Sequence, residues 1–168
     1  MNQCFRVAAG LLLAALLSAG TARAQAANSS PTPAPVLAVG DKLPPFDAAA
    51  LDGTTQHVDY KKGTATVLLF FLSGCPTCHK MIPEWNRAYE RRAKGLEITG
   101  VLMDHEPPGF FMATPVSFPV LRAPGGDFSR TFKIYRVPMT VRIGPDGKVQ
   151  DVGFGLLDPI RLGEILRP

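Results

Sequence analysis

"ATVLLFFLSGCPTCHK", residues 65–80, holds the reading that decides the fold. From Ala65 to Leu72 the chain is apolar, interrupted only by Thr66. A short run of this kind, without alternation, is expected of a central strand covered on both faces. Two residues later come Cys75 and Cys78, spaced as a CxxC pair. The following stretch, residues 76–95, has Met81, Trp85, Ala88 and Tyr89 near helical spacing and Gly95 as its stop. Pro83 falls inside that helix and predicts a kink. Cys75 is therefore expected where a buried strand ends and a helix begins. Such a pair can ligate a metal, staple a fold or carry electrons.

The compartment bears on the choice. The chain opens "MNQCFRVAAGLLLAALLSAGTARAQA": a positive Arg6, an uncharged apolar run from Val7 to Ala19, and a small-x-small site at Ala22–Ala24. This is the pattern of a cleavable secretory leader, expected over residues 1–24. Its apolar run falls short of the about 20 residues that a span requires. Cys4 precedes the apolar run and would leave with the leader. Removing 24 of the 168 residues leaves 144, with 16 Lys and Arg against 14 acids and a net charge of +2. No basic stripe for nucleic acid is seen. One cysteine pair in an exported chain of this size is too little for a disulfide-dense scaffold. The expected location is the periplasm.

Residues 25–38 are rich in Pro, Ala and Ser and are expected to form a flexible linker. A chain beginning near Val39 is then expected to be as stable as the longer one. Residues 39–168 form one domain of ordinary size. Within it, 44–60 alternates weakly around an Asp52-Gly53 hairpin signal, and 96–104 reads as a second buried strand. Residues 125–135 read as a short helix. Residues 139–143 and 148–155 are strands joined by "GPDG". Residues 158–166 form a last helix, capped by Asp158 with Pro159 at its first position. Strands alternating with helices give an α/β fold, with 65–72 and 96–104 parallel across their helix.

A helix N-terminus carries a partial positive charge and unpaired N–H groups, which favour a thiolate. Cys75 is expected to have a lowered pKa and to attack; Cys78, one turn inward, is expected to resolve the mixed disulfide. Structural zinc needs four ligands, and only His57, His79 and His105 are available beside the pair. Copper(I) accepts thiolates and thioethers, so a copper-handling chaperone built on Cys75 and Cys78 is the alternative. Met81, Met103, Met112 and Met139 are its further candidate ligands, with core packing the preferred reading of Met81 and Met103. His79 either tunes a thiolate or is an exposed helix histidine. Pro138 precedes a strand. In the cis form it would stand beside the cysteines and leave Val137 free to bond an extended peptide.

In "VGDKLPPFDAAALDG", "TVLLFFLSGCPTCHKMIPEW" and "FPVLRAPGGDFSRTFKIYRVPMTVRIGPDGKV" the chain resembles exported thioredoxin-like proteins of the TlpA/ResA kind, over nearly all of residues 39–168. The resemblance implies a thioredoxin fold: a central mixed sheet flanked by helices, with an N-terminal β-hairpin extension. It implies a thiol–disulfide oxidoreductase with Cys75 and Cys78 as the redox pair, Pro138 as the cis-proline and no bound cofactor. Protein disulfides or dithiols are the implied partners, with a membrane electron donor also among the candidates, and a monomer is expected. A reductant's part in cytochrome or metalloenzyme maturation is within the family's range. The chain departs from the pattern at Gly74, where Trp is common, and at Leu69 and Met81, where relatives place acids. Asp104 and Glu84 are left as candidate proton acceptors for Cys78, with surface solvation the safer reading. Residues 105–117, "HEPPGFFMATPVS", read as a loop whose Phe110, Phe111 and Met112 form either an exposed apolar patch or a lid. A peroxiredoxin is disfavoured because Leu68 stands where that frame needs proline.

Overall fold

The computed structural model describes residues 36–61, 63–123 and 125–167. The expected leader (1–24) and all but the end of the expected linker lie outside these residues. Seven strands form one mixed sheet: β1 (Phe46–Ala50), β2 (Thr55–Val58), β3 (Ala65–Phe71), β4 (Leu96–Leu102), β5 (Val120–Arg122), β6 (Met139–Ile143) and β7 (Val149–Phe154). Their order is β2-β1-β5-β4-β3-β6-β7. The helices are α1 (Pro76–Glu90), α2 (Phe110–Ala113), α3 (Gly126–Thr131) and α4 (Pro159–Ile165).

The unbroken apolar run of β3 follows from its central place. Successive strand side chains point to opposite faces. Val67, Leu69 and Phe71 pack with Met81, Ile82 and Trp85 of α1 and Leu162 of α4. Leu68 and Phe70 pack on the other face with Val101, Met139 and Val141 and against Phe128 of α3. All five of these β3 side chains are at most 1% exposed. β3 runs parallel to β4, from Ala65 beside Leu96 to Phe71 beside Leu102. On its other edge β6 is antiparallel, with Phe70 opposite Met139. Gly100 in β4 answers a close approach: a Cβ there would lie 2.7 Å from the ring of Phe118, which packs edge-on to Trp85.

The expected fold is found, with the hairpin β1–β2 as its N-terminal extension. Three details differ. Helix α1 ends at Glu90, and Gly95 (φ 82°) instead lies in the turn just before β4, with its carbonyl accepting the Ala65 N–H. Residues 105–117 include the single turn α2, held to α1 through Asn86, which donates to Pro115 O and accepts from Ser117 N–H. Strand β5, unread in the sequence, joins the hairpin to the sheet by pairing with β1 and β4. Three residues are too few to show a period. Arg122 secures this junction: it makes a two-toothed pair with Glu106 and donates to the carbonyls of Ala50 and Leu51.

The linker's end also needs correction. Leu37 is 4% exposed, belongs to the core beside Phe132 and Ile134, and donates its N–H to Lys133 O at 3.2 Å. The folded part thus begins before Val39, because burying a leucine outweighs the cost of ordering two residues. A chain beginning at Val39 is expected to be less stable than one beginning at Val36 by roughly 1.5–3 kcal/mol, seen as a melting temperature several degrees lower.

The Arg122 guanidinium holds the Glu106 carboxyl below its usual range. A carboxyl lowered in the folded state stabilises above its unfolded value and loses that effect as pH falls through the folded value. Glu106→Gln is therefore expected to cost about 1–2 kcal/mol near pH 7. In urea unfolding the difference from the parent should shrink below about pH 4. A difference undiminished at pH 3 would assign the loss to packing.

Candidate functional site

The chain leaves β3 at Phe71 and turns through Leu72, Ser73 and Gly74 into α1. Cys75 is the N-cap, in extended backbone geometry (φ −91°, ψ 110°), and Pro76 occupies the first turn. Pro76 suits that place, since the N–H it lacks would have no helical partner. The Cys75 Sγ accepts the Cys78 N–H at 3.1 Å, so sulfur plays the part that an Asp or Ser oxygen plays at other N-caps. The first turn carries no acid to offset the positive end of the helix. Cys75 and Cys78 are joined as a disulfide with Cα atoms 5.2 Å apart. Cys75 is half-buried, whereas Cys78 is 0% exposed.

Cys78 belongs to an apolar cluster. Leu69, Phe71, Met81, Ile82 and Trp85 share its cluster. Leu69 and Met81, the positions where the family resemblance places acids, are 1% and 0% exposed. Glu84 is engaged with Arg87 on the surface. A buried polar link among the described residues is Trp85 Nε1–H donating to Thr140 Oγ1 at 3.0 Å, which ties α1 to β6.

Asp104 departs from the solvated-surface reading. Its carboxylate accepts the Ser73 N–H at 2.9 and 3.0 Å and the Ser73 hydroxyl at 2.8 Å. From the other side His79 Nε2 reaches Ser73 O at 2.6 Å; a carbonyl only accepts, so Nε2 carries the proton. The loop before Cys75 is thus clamped from β4 and from α1. The clamp was readable in principle. Parallel neighbours end level, Phe71 beside Leu102, so the residues two beyond, Ser73 and Asp104, must meet.

The Val137–Pro138 peptide is cis. Continuing the β3–β6 register beyond Phe70–Met139 sets Pro138 and Val137 beside Phe71 and Leu72, just ahead of the cysteine loop. Pro138 is buried, its carbonyl accepts Gly155 N–H at 2.9 Å, and Val137 packs against both core clusters. Among the described residues, the N–H and C=O of Val137 have no hydrogen-bond partner. Phe110 is 7% exposed, with its ring 5.8 Å from that of His79, so it packs inward, whereas Met112 is 90% exposed. Met81 lies in the layer of Cys78, but Met103 and Met139 lie across the sheet. Among the described residues no three His, Cys, Asp or Glu side chains gather as metal ligands.

Removing Asp104 strips Ser73 of three hydrogen bonds to a charged acceptor. Asp104→Ala is expected to lose about 2–3 kcal/mol in urea unfolding and to slow exchange with glutathione disulfide. Ser73→Ala combined with Asp104→Ala should cost little more than Asp104→Ala alone; additive losses would show that the two residues do not act together.

Comparison with known proteins agrees with this geometry. Residues 38–158 match the Redoxin family. The thiol-disulfide oxidoreductase ResA of Bacillus thuringiensis is 28% identical over 117 residues, which span 67% of this chain and 68% of that protein. The crystal structure of StoA from Bacillus subtilis superposes with a TM-score of 0.64 at 20% identity, over 74% of this chain and 97% of that one. The MTB dsbF structure gives 0.62 at 27% identity, over 72% and 92%. The half-exposed cap cysteine, its buried partner and these likenesses agree: the chain belongs to the Redoxin family and is a thioredoxin-fold thiol–disulfide oxidoreductase of the TlpA/ResA kind.

Proposed function

We propose that the protein is exported to the periplasm and there exchanges its Cys75–Cys78 disulfide with protein partners. Cys75 is the attacking atom and Cys78 the resolving one. The observation that carries this division is the contrast between a half-buried Cys75 Sγ facing the helix N-terminus and a fully buried Cys78 in an apolar cluster. In the reducing direction the Cys75 thiolate attacks a partner disulfide and expels one partner thiolate. The Cys78 thiolate then attacks the Cys75 sulfur of the mixed disulfide and expels the second. Two electrons pass to the partner, and the protein is left with its own disulfide. The oxidising direction is the reverse. Sulfur carries both electrons, so the exchange calls for no cofactor.

Val137 and Pro138 form the wall beside the disulfide in this reading. The unpaired N–H and C=O of Val137 suit an extended partner peptide, which would lie along the cysteine loop as an added strand. Export rests on the leader pattern of residues 1–24. An exported dithiol needs a source of electrons, which a membrane donor supplies; cytochrome or metalloenzyme maturation is the setting that the family resemblance favours. Of the candidate methionines only Met81 shares the layer of Cys78, while Met103 and Met139 lie across the sheet and Met112 is exposed, which weighs against a copper site rich in thioethers.

Burial in apolar surroundings raises a thiol pKa, while the helix end lowers that of its cap. In the reduced protein iodoacetamide is expected to label Cys75 first, with a titration below the ordinary value of about 8.5, and Cys78 only above it. Cys78→Ser should accumulate mixed disulfides with its partner in an extract of exported proteins, and Cys75→Ser should trap none. Trapping by Cys75→Ser alone would reverse the roles. Exchange surviving in both variants while both lose copper(I) binding would favour the chaperone.

A further inference from the structure

A cleft of about 560 Å³ lies away from the disulfide, between the second half of α1 and α4. Arg87, Arg91, Arg92 and Arg167 are among the residues that line it, with one acidic residue, Glu84. Glu84 is engaged by Arg87, and Arg167 lies 3.9 Å from the Glu164 carboxylate. Arg92 is fixed by its own helix: its guanidinium lies 3.7 Å from the Tyr89 ring centre and donates to Tyr89 O at 2.7 Å. Arg91 has no carboxylate partner among the described residues. Cations near a helix C-terminus are favoured by its dipole, which accounts for the three arginines at the end of α1. It does not account for Arg167, which comes from beyond α4, nor for what lies beneath. The floor is apolar, made by Ala88, Leu162 and Leu166.

Gly163 supplies an independent observation. It sits in the middle of α4, where glycine weakens a helix relative to alanine. No positive φ calls for it, and a Cβ built there would meet nothing within 4 Å. Packing therefore does not explain this glycine. Its position offers a reason, because Gly163 lines the cleft and the missing side chain leaves that wall open.

We propose that the α1–α4 cleft is a binding site for an anionic amphiphile, with a phosphate group held by the arginines and an apolar chain along Leu162 and Leu166. A guanidinium fork matches a phosphate in shape and charge. The open apolar floor adds affinity only for a ligand with a hydrocarbon portion. The site is separate from the disulfide and does not depend on the exchange reaction.

Titration calorimetry on the full chain tests the proposal with three probes. Dihexanoylphosphatidylglycerol carries both chemistries, inorganic phosphate only the anion, and octyl glucoside only the chain. The first is expected to bind at least about tenfold tighter than either of the others. Arg91→Gln and Gly163→Leu should each weaken it at least about fivefold, and Gly163→Leu should do so without lowering the melting temperature. Arg130→Gln makes the same charge change on α3 and should leave binding unaltered, and all three variants should keep full exchange with glutathione disulfide. Absence of binding, equal affinity for inorganic phosphate, or equal loss in Arg130→Gln and Arg91→Gln would overturn the proposal.

Discussion

Burial of β3 on both faces is the constraint on which the rest depends. Its side chains fill the layer under α1 and the layer under α3, so the strand has no freedom of register. Fixed register fixes where β3 ends, and its end delivers Ser73, Gly74 and Cys75 to the rim of the sheet. The same register sets β4 level with β3 and brings Asp104 to Ser73. It sets β6 antiparallel on the other edge and brings Val137 and Pro138 alongside. The site is thus assembled from the ends of three neighbouring strands and the start of one helix. Ligands and chemistry in open α/β sheets collect at the carboxyl ends of the strands for the same reason.

The apolar floor under Cys78 gives the site its asymmetry. An acid at position 69 or 81 would offer the buried thiol a proton acceptor. Leucine and methionine offer only desolvation, which opposes thiolate formation. The carboxylate held at the cysteine loop among the described residues, that of Asp104, is occupied by Ser73 and works on geometry. Chemical difference between the two sulfurs therefore comes from place alone: one at a helix end with an N–H directed at it, the other in an apolar layer.

The sequence made most of this legible because β3, α1 and the cysteines carry strong signals. A continuous apolar run, a CxxC pair and a proline before a later strand are local patterns, and each led to the right element. What escaped was non-local or short. β5 has three residues and shows no period, yet it connects the hairpin to the sheet. Leu37 looked like linker because its neighbours are Pro, Ala and Ser, but its partners Phe132 and Ile134 are nearly a hundred residues away. Asp104 looked like a surface acid for lack of any local partner. The arginines at the end of α1 gave no signal in the sequence, because Arg167 joins them only through the packing of α4.

The two ends of α1 consequently carry different chemistry. Its N-terminus holds the disulfide, where the helix field favours a thiolate, and its C-terminus carries the arginines that the same field favours. Arg91 stands sixteen positions beyond Cys75, roughly 24 Å along the axis at 1.5 Å per residue. Charge at that distance is screened in salt, where the Debye length is about 8–10 Å. An anion in the cleft would then leave the Cys75 thiolate electrostatically undisturbed. It would also leave the wall formed by Val137 and Pro138 beside Cys75 open. Ligand in the cleft and a partner protein at the disulfide can accordingly be held at once, because the helix that joins the two sites also keeps them apart.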